Sequence, residues 1–351
     1  MPGNTFGNNF RITTWGESHG KATGLIIDGC PPKIKLDLKN IEKEISRRKP
    51  QKNSKITTTR REEDKFEILS GVFEGKTTGT PISIIIANKD TRSKDYSKIK
   101  DLYRPGHADF TYDLKYGIRD YKGGGRSSGR ETLTRVIAGA IAKQILRKNH
   151  KTEIFGHTIQ VGKIKAKKFQ KNYIEKNELR SADPEASKKM SKYIEKIRFQ
   201  EGDSTGAIIE IIIKTPPKGL GEPVFDKLDA ELAKAMLSIG AVKGIEFGSG
   251  FKAAEMTGSE NNDQMQIKNK KVKFLSNNAG GILGGISTGE DIIMRLAIKP
   301  VSSISKKLKT ITKSGKNTSV QTLGRHDCCL APRIIPVAEA MAALVILDQS
   351  L

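Results

Sequence analysis

Apolar residues recur along this chain in two patterns, short runs rich in isoleucine and longer stretches in which they return every three or four positions. The short runs predict buried strands, at residues 24–28, 66–73, 82–87, 207–213 and 292–298. The longer stretches predict helices, at residues 38–48, 131–146, 226–239 and 337–348. The sequence therefore predicts a fold that mixes strands with helices.

Local signals mark the ends of the first predicted helix. Asp37 precedes the apolar positions of this helix and is a typical N-cap, and Pro50 ends it just after Arg47 and Arg48. Residues 163–198 contrast with this pattern, because they are densely charged and helical only in parts. We expect that segment to be an excursion that faces solvent.

Two distant segments resemble each other. Residues 71–79 and 281–289 share a glycine-rich pattern, and each is followed by an apolar strand, a loop with Arg and His, and a long apolar helix. A chance match between two turns is one explanation; a fold of two similar halves, with loops converging on one pocket, is the other. Because no Pro/Gly/Ser-rich linker separates the halves, we expect one compact unit over residues 1–351.

Composition narrows the class of protein. The chain has 351 residues, of which 36% are hydrophobic, enough for a folded core. It contains no run of 18 apolar residues, which argues against a membrane-spanning helix, and its first ten residues do not resemble a secretory signal. The three cysteines, two of them adjacent, form neither a disulfide framework nor a CxxC zinc motif. These features favour a cytoplasmic protein without a structural metal.

The formal net charge is +23, from 62 Lys and Arg against 39 Asp and Glu. This charge has three interpretations: binding of nucleic acid, steering of a small polyanionic substrate, or a lysine-rich surface without a role. Dispersed lysines account for most of the excess, which favours the third interpretation for them. The low aromatic content of 6% and the lack of any helix-turn-helix, RNA-recognition or zinc pattern argue against a nucleic-acid-binding protein.

Two of the five histidines lie in tight glycine-containing turns beside charged residues. His19 lies in residues 16–20 (GESHG), and His107 in residues 104–109 (RPGHAD). Glycine lets backbone approach a ligand closely, and histidine titrates near neutral pH, so both turns are candidates for proton transfer. The alternative for each is a turn histidine without a role.

Arginine-bearing segments suggest anion binding. Residues 123–132 (GGGRSSGRET) lead into a predicted helix, and a glycine-rich loop at a helix N-terminus favours phosphate. Arg325 in residues 324–329 (GRHDCC) can pair with a phosphate or carboxylate, and the neighbouring Asp327 is either a base or part of a surface ion pair. Arg47 and Arg48, with the basic residues 55–61, form either a solvated helix end or a cation cluster around a polyanion.

At these motifs the chain resembles the chorismate synthase family. The three signature regions of the family occur in order, within residues 16–29, 117–135 and 325–341, and the resemblance covers essentially the whole chain. It implies an α+β fold with helices sandwiched between antiparallel sheets, two pseudo-symmetric halves and a homotetramer. It also implies a lyase that performs anti-1,4-elimination of phosphate from 5-enolpyruvylshikimate 3-phosphate, giving chorismate, with reduced FMN and no net redox change.

The resemblance also implies roles for residues. His19 would protonate the departing phosphate, His107 would protonate or hold the reduced flavin, and Asp327 would take a proton from flavin N5, which abstracts the substrate proton. FMN would bind Arg126, Ser127, Ser128, Gly240, Ala241, Gly284, Lys299, Pro300, Val301, Ser302, Ser303 and Arg325. The substrate, or a nicotinamide near it, would bind Arg48, Lys55, Arg60 and Arg130. No metal is expected.

Some positions depart from the family pattern. Lys55 replaces a frequent Arg, Gly240 a frequent Asn or Pro, Cys328 a Pro and Gly129 a frequent Ala, changes expected to alter affinity more than activity. A redox flavoenzyme that transfers hydride is an alternative, but the chain has no nicotinamide fingerprint. We therefore expect reduced FMN to come from an external flavin reductase, and neither nucleic acid nor a membrane to be a partner.

Overall fold

The structure is a computed structural model that describes residues 3–51, 54, 56–57, 64–88, 100–322 and 326–351. The α-helices of the described residues are α1 Leu38–Arg48, α2 Asp109–Tyr116, α3 Thr132–His150, α4 Pro184–Phe199, α5 Leu228–Leu237, α6 Gly258–Asn261 and α7 Ala331–Ser350. Short 3-10 turns, among them Gly125–Ser127 and Gly129–Glu131, precede α3.

The strands fall into two large sheets and several hairpins. Those of the first half of the chain are β1 Thr5–Phe6, β2 Arg11–Gly16, β3 Ala22–Asp28, β4 Phe66–Ile68, β5 Val72–Phe73, β6 Lys76–Thr77 and β7 Ile82–Ala87. Those of the second half are β8 Glu153–Val161, β9 Ile164–Lys165, β10 Ala207–Lys214, β11 Val242–Phe247, β12 Met265–Lys268, β13 Lys271–Phe274, β14 Ile282–Leu283, β15 Ile286–Ser287, β16 Ile292–Ile298, β17 Leu308–Ile311 and β18 Asn317–Val320.

Both large sheets are antiparallel and five-stranded. The first has the order β1-β2-β3-β7-β4, and the second the order β11-β16-β10-β8-β9. In β7 and β10 alternate isoleucines are fully buried, while the residues between them are partly exposed. Each sheet therefore turns one apolar face to the core, as the period of two in a half-buried strand requires.

The helices lie between the two apolar faces. Helix α3 contacts β2 and β3 of the first sheet and β8 of the second, and α7 packs along β8 and β10. The two helices also pack on each other, and at their crossing a Cβ added to Gly139 would lie 2.3 Å from the Cβ of Ala340. This layering confirms the predicted α+β fold with helices between antiparallel sheets.

The two sheets repeat one topology. In the first half the order is β2, β3, α1, β4, the hairpin β5–β6, β7 and α3, and in the second it is β8, β10, α5, β11, the hairpin β14–β15, β16 and α7. Even single hydrogen bonds recur: the Thr77 hydroxyl donates to the Pro31 carbonyl at 2.6 Å, and the Ser287 hydroxyl to the Pro217 carbonyl at 2.7 Å. The echo between residues 71–79 and 281–289 thus marks two structurally equivalent halves.

A buried ion-pair network fastens the helices together. Glu339 on α7 is fully buried and accepts from Arg47 on α1 and Lys143 on α3, each at 2.6 Å, and from the Gly156 amide of β8 at 3.0 Å. Burial alone would raise the pKa of Glu339, but Arg47 and Lys143 lower it to about 2. The residue next to Arg47 is Arg48, so this network also fixes the end of α1 that carries a predicted substrate ligand.

Three predicted elements differ from the structure. The predicted strand 66–73 is broken after Ile68, because Gly71 turns with a φ of +76° against Ile82. The segment 163–198 is not wholly solvent-facing, since α4 buries Met190 and Ile194 in the core. Helix α7 begins at Ala331 and contains Pro336, which was expected to precede it. Among the described residues no helix is long and apolar enough to cross a membrane.

Candidate active site

His19 lies in the loop between β2 and β3. Its Nδ1 is 3.1 Å from the Ser18 hydroxyl, and its ring packs so closely on Gly123 that a Cβ there would lie 2.4 Å from Nδ1. The glycine-rich loop and the His19 turn therefore form one unit, which requires glycine at position 123. The Asn88 amide at the end of β7 fastens the same turn, donating to the carbonyls of Glu17 at 3.0 Å and Gly20 at 2.9 Å.

The turn that carries His107 is folded around an ion pair within its own motif. The Arg104 guanidinium donates to both oxygens of Asp109 at 2.8 Å, and the Arg104 amide donates to the same carboxylate at 3.0 Å. Burial would raise the pKa of Asp109, but Arg104 lowers it below its usual value. Arg104 also donates to the Gly123 carbonyl at 3.4 Å, which connects the His107 turn to the loop against His19.

Both ring nitrogens of His107 have partners. Nδ1 lies 3.1 Å from the Pro105 carbonyl and Nε2 lies 2.9 Å from the Ser303 hydroxyl. Since a carbonyl only accepts, Nδ1 carries the proton, and in the neutral ring Nε2 accepts from Ser303. Burial, followed by the positive charge of Arg104, lowers the pKa of His107 to about 4. His107 is therefore neutral near pH 7 in the ligand-free chain.

Residues 299–303 lie directly against the His107 turn. Lys299 donates to the Gly106 carbonyl and to the Ser302 hydroxyl at 2.8 Å each, and its amide bonds to the Ala241 carbonyl at 2.9 Å. Burial and then the nearby Lys243 lower the pKa of Lys299. Nothing lies within 4 Å of a Cβ added to Gly240. The structure thus brings the predicted flavin ligands 240–241 and 299–303 together with His107.

The glycine-rich loop places its two arginines differently from the prediction. Arg126 turns to β2, where its donors reach the Gly16 carbonyl at 3.1 Å and the Thr14 carbonyl and hydroxyl at 3.1 and 2.6 Å. Arg130 instead donates to Asp64 and, at 3.1 Å, to Asn88. Protein oxygens therefore satisfy part of the demand for an anion that the sequence suggested here.

The hydroxyls of the same loop act within it. The Ser127 hydroxyl donates to the Gly124 carbonyl at 2.6 Å, and the Ser128 hydroxyl accepts from the Arg130 amide at 3.3 Å. Both bonds close the 3-10 turns that lead into α3. These turns fix the backbone from which Arg126 and Arg130 project.

Asp64 gathers the predicted substrate ligands. Its side chain is completely buried, and it pairs with Arg130 through Oδ1 and with Arg48 through Oδ2 at 3.3 Å. The Lys49 ammonium lies 3.8 Å from Oδ2. Asp64 was not identified from the sequence, because the charged run at residues 60–65 resembles an ordinary solvated surface; only its place just before a strand distinguishes it.

Asp327 lies at the start of the segment that leads into α7. Its Oδ2 is 2.5 Å from Arg333, and Arg333 donates in turn to the Arg48 carbonyl at 3.4 Å. At the position where the family has Pro, the Cys328 amide donates to the Ile56 carbonyl at 3.2 Å, a bond that Pro lacks. Cys328 is buried, which raises its pKa to about 11, so it serves packing and not nucleophilic chemistry.

One closed circuit of contacts joins the three predicted proton-transfer residues. The Cys328 carbonyl accepts from Thr205, and the neighbouring Ser204 donates to Val301 at 2.7 Å, which leads to Ser303 and His107. Neighbours in the full circuit are joined by a hydrogen bond, an ion pair, a packing contact or the chain itself. The circuit runs through His19, Gly20, Asn88, Arg130, Asp64, Arg48, Arg333, Asp327, Cys328, Thr205, Ser204, Val301, Ser303, His107, Arg104, Gly123 and again His19. Residues from distant parts of the chain are thus linked in one series of contacts.

Several predicted ligands are not part of this circuit. Lys55, Arg60 and Arg325 lie outside the described residues. Gly284 lies at the tip of the hairpin β14–β15, and the Gly285 carbonyl next to it accepts from the amide of Leu228, the first residue of α5, at 2.8 Å. Pro300 contacts the region of Gly206 at the edge of the second sheet.

A cavity of about 860 Å³ adjoins the glycine-rich loop from the side of β1 and β2. Arg126 and Ser127 line it, together with Tyr112, Arg135 and Met341. His19, His107 and Asp327 are not among its lining residues. We place the candidate active site at the contact circuit and not in this cavity, because the circuit contains His19, His107 and Asp327 and the cavity lining contains none of them. Among the described residues no group of three or more His, Cys, Asp or Glu could hold a metal ion.

Comparisons with known proteins identify the family. The sequence profile described as chorismate synthase matches residues 10–351. Chorismate synthases of Pelagibacter ubique and Methanosarcina mazei are 54% and 53% identical, over all of this chain and over 98% and 97% of theirs. A crystal structure of chorismate synthase superposes with a TM-score of 0.77 at 30% identity, covering 98% of this chain and 92% of that chain. The chain therefore belongs to the chorismate synthase family of lyases.

Proposed function

We propose that this chain forms chorismate by anti-1,4-elimination of phosphate from 5-enolpyruvylshikimate 3-phosphate, using reduced FMN without net redox change. The observation that carries the proposal is the contact circuit, which joins His19, His107 and Asp327 to the arginines Arg48 and Arg130. An elimination of this kind needs proton-transfer groups and cations around one substrate. Groups of both kinds are members of the circuit, which supports the proposal.

Substrate binding falls to the cationic side of the circuit. The substrate carries a phosphate and two carboxylates, and planar guanidinium groups recognise such anions with paired hydrogen bonds. Arg48 and Arg130, both nearly buried, are the described cations placed to do this, and we assign Lys55 and Arg60 to the same set. Their burial strengthens the attraction to an anion relative to a solvated cation.

His19 is the proposed donor to the departing phosphate. As the carbon–oxygen bond breaks, negative charge grows on the phosphate oxygen, and a proton placed there stabilises the leaving group. The Asn88 side chain donates to the His19 turn and accepts from Arg130, so it connects the turn of this histidine to a proposed phosphate ligand. Asp327 is the proposed proton acceptor.

The segment around Lys299 fits an anionic cofactor such as FMN. Lys299 loses part of its hydration and lies near Lys243, and a bound phosphate would relieve both costs. Hydroxyls of Ser302 and Ser303 and the open backbone at Gly240 adjoin it. Reduced FMN would lend electron density to the substrate and recover it. The low pKa of His107 favours a role in which Nε2 holds the cofactor over one in which the ligand-free enzyme stores a proton for it.

The proposal also covers the oligomeric state, the flavin source, the domain organisation and the location of the enzyme. We expect a homotetramer, an external source of reduced flavin, and one catalytic domain over residues 1–351. The three cysteines are free and buried, which agrees with the expected cytoplasmic location.

Phosphate release from 5-enolpyruvylshikimate 3-phosphate, measured anaerobically with and without chemically reduced FMN, tests the proposal. We expect release only with reduced FMN, with no flavin consumed, and no release with oxidised FMN and NADPH alone. His19→Ala and Asp327→Asn should lower kcat by about 10²–10⁴-fold. The exposed variants His150→Ala and Asp101→Asn are the matched controls and should keep wild-type kcat.

Three results would each contradict one part of the proposal. Phosphate release that does not depend on reduced FMN would exclude the cofactor assignment. Full activity of His19→Ala would remove the proposed donor, and direct reduction of bound FMN by NADPH would remove the need for a separate reductase.

A further inference from the structure

We propose that Asp64 is a positioning residue that holds Arg48 and Arg130 in the geometry needed to receive the anionic groups of the substrate. The proposal rests on the function proposed above, in which both arginines bind the substrate. In this role Asp64 acts through the two arginines with which it pairs.

The two arginines come from different elements and are both paired with this carboxylate, and Arg48 also donates to the Gly129 carbonyl next to Arg130 at 3.3 Å. Arg48 is the last residue of α1, Arg130 lies in the 3-10 turn before α3, and Asp64 lies just before β4. Each oxygen of Asp64 takes one guanidinium, Arg130 at Oδ1 and Arg48 at Oδ2. One planar group thereby sets the distance and the relative tilt of two long side chains.

Burial makes this arrangement rigid. The Asp64 side chain is fully inaccessible, and those of Arg48 and Arg130 are 4% and 8% exposed. A long arginine that had to be ordered only when the substrate binds would lose rotamer freedom and therefore affinity. A guanidinium has five N–H donors, more than the single carboxylate oxygen of Asp64 that it contacts can accept, so this contact orients an arginine without using all its donors.

The backbone conformation of Asp64 also indicates that the surrounding contacts fix the position of its side chain. Its φ is +51°, in the left-handed region that costs most residues energy and that Asp tolerates better than most. Strain of this kind persists where the surrounding contacts determine the conformation. Here those contacts are the ion pairs to the two arginines and to Lys49.

Asn88 completes the positioning of Arg130. Its side-chain oxygen accepts from Arg130 Nε at 3.1 Å, while its amide nitrogen donates to the carbonyls of Glu17 and Gly20 on either side of His19. The brace Asp64–Arg130–Asn88 therefore sets the proposed substrate ligand against the proposed proton donor. Loss of Asp64 should disturb substrate binding first and leave the cofactor segment at Lys299 unaffected.

The test is steady-state kinetics of Asp64→Asn, which keeps the shape of the side chain and removes its charge. We expect KM for 5-enolpyruvylshikimate 3-phosphate to rise by on the order of tenfold to a hundredfold, with a much smaller change in kcat. The dissociation constant for FMN should stay near that of wild type, while the melting temperature should fall, because Arg48 and Arg130 lose a buried partner charge. Asp101→Asn, an exposed aspartate, is the matched control and should change none of these quantities.

A double substitution separates positioning from general structural support. If Asp64 acts through the two arginines, Asp64→Asn should raise KM by no more than about twofold in a background that lacks both, Arg48→Ala/Arg130→Ala. An effect of Asp64→Asn that is as large in this background as in wild type would overturn the proposal. So would a folded Asp64→Asn with wild-type KM, or one whose affinities for substrate and FMN fall together.

Asn88→Ala keeps the proposal testable if Asp64→Asn does not fold. This variant removes the hydrogen bond between Asn88 and Arg130 and should also raise KM, by a smaller factor than Asp64→Asn. A wild-type KM in folded Asn88→Ala would show that Asn88 does not position Arg130.

Equilibrium binding of 5-enolpyruvylshikimate 3-phosphate, measured by calorimetry without flavin, gives the same comparison without turnover. If wild type binds the substrate but never releases phosphate, the proposed reaction fails; if wild type is active and the variants bind normally, only the positioning role fails.

Discussion

His107 owes its charge state to its position in the fold. In water a histidine is partly protonated just below neutral pH, whereas burial and the adjacent Arg104 lower the pKa of His107 to about 4. The hydroxyl of Ser303 and the carbonyl of Pro105 then fix which ring nitrogen holds the proton. A sequence can place a histidine in a turn, but it does not contain this information.

This shift predicts a pH dependence of stability. The folded pKa of His107 lies below its usual value of 6.5, so the unfolded chain takes up the proton first and folding stability falls as pH falls from about 6.5 to about 4. At pH 5 the loss should be about 2 kcal/mol relative to pH 7. Urea unfolding of His107→Gln should show that much less pH dependence than wild type, with His150→Gln as control. An identical pH dependence in wild type and His107→Gln would show that His107 is not buried as described.

At the residue scale the sequence predicted which residues could transfer protons better than it predicted which atoms each side chain contacts. It indicated His19, His107 and Asp327 from their turns, and the structure brings all three onto one circuit. It did not predict that Arg126 would be held by carbonyls of β2, because a glycine-rich loop gives no sign of which strand it will meet. It also missed Asp64, whose burial depends on contacts between three distant segments.

At the scale of elements, the crossing of α3 and α7 depends on the absence of a side chain. A Cβ on Gly139 would lie 2.3 Å from the Cβ and 2.5 Å from the Cα of Ala340, far inside normal contact. Helices approach this closely only where small residues face each other. The crossing therefore holds the two central helices at a fixed depth between the sheets.

Gly139→Ala should consequently destabilise the protein. Alanine is normally the better helix former by about 1 kcal/mol, but here the clash should outweigh that gain and cost about 2 kcal/mol or more. Urea unfolding monitored by circular dichroism measures the difference. Gly258→Ala at the start of α6, where nothing lies within 4 Å of the added Cβ, is the control and should be neutral or slightly stabilising. A stabilised Gly139→Ala would mean that the helices cross elsewhere.

Elements with a clear period were predicted from the sequence, and those shaped by tertiary contact were not. Helix α1 begins after Asp37, whose side chain accepts from the Asn40 amide at 3.0 Å, as the N-cap signal indicated. The sequence of helix α4 resembles a surface segment, because its many charged residues outnumber the narrow apolar stripe around Met190. Helix α7 starts before Pro336, since a proline near a helix start interrupts few hydrogen bonds and the buried surroundings hold the first turns.

At the scale of the whole molecule, the core is shared by both halves. Helix α3 of the first half contacts β8 of the second, and Glu339 of the second half pairs with Arg47 of the first. Neither half keeps its apolar face covered without the other. The absence of a linker in the sequence pointed the same way, but the interleaving of the halves depends on contacts that no local pattern encodes.

We therefore expect the chain to unfold as one cooperative unit. Differential scanning calorimetry at low scan rate should show a single transition whose calorimetric and van't Hoff enthalpies agree for the subunit. Two separable transitions, or a stable isolated fragment of residues 1–150, would contradict the expectation of one domain over residues 1–351.

The Glu339→Gln variant should lower the temperature of this single unfolding transition without splitting it, because the ion-pair network of Glu339 connects both halves.

The repeated topology has a consequence for how the site came to be asymmetric. The loops after β7 and β16 occupy equivalent positions, and they meet where His107 contacts Ser303. In a dimer of two identical half-chains both loops would have the same sequence, so every contact between them would occur twice, related by the twofold axis. Joining the halves in one polypeptide frees each loop to mutate alone. A gene duplication followed by fusion would thus have allowed an ancestral twofold axis to become a site with a different chemical group on each side.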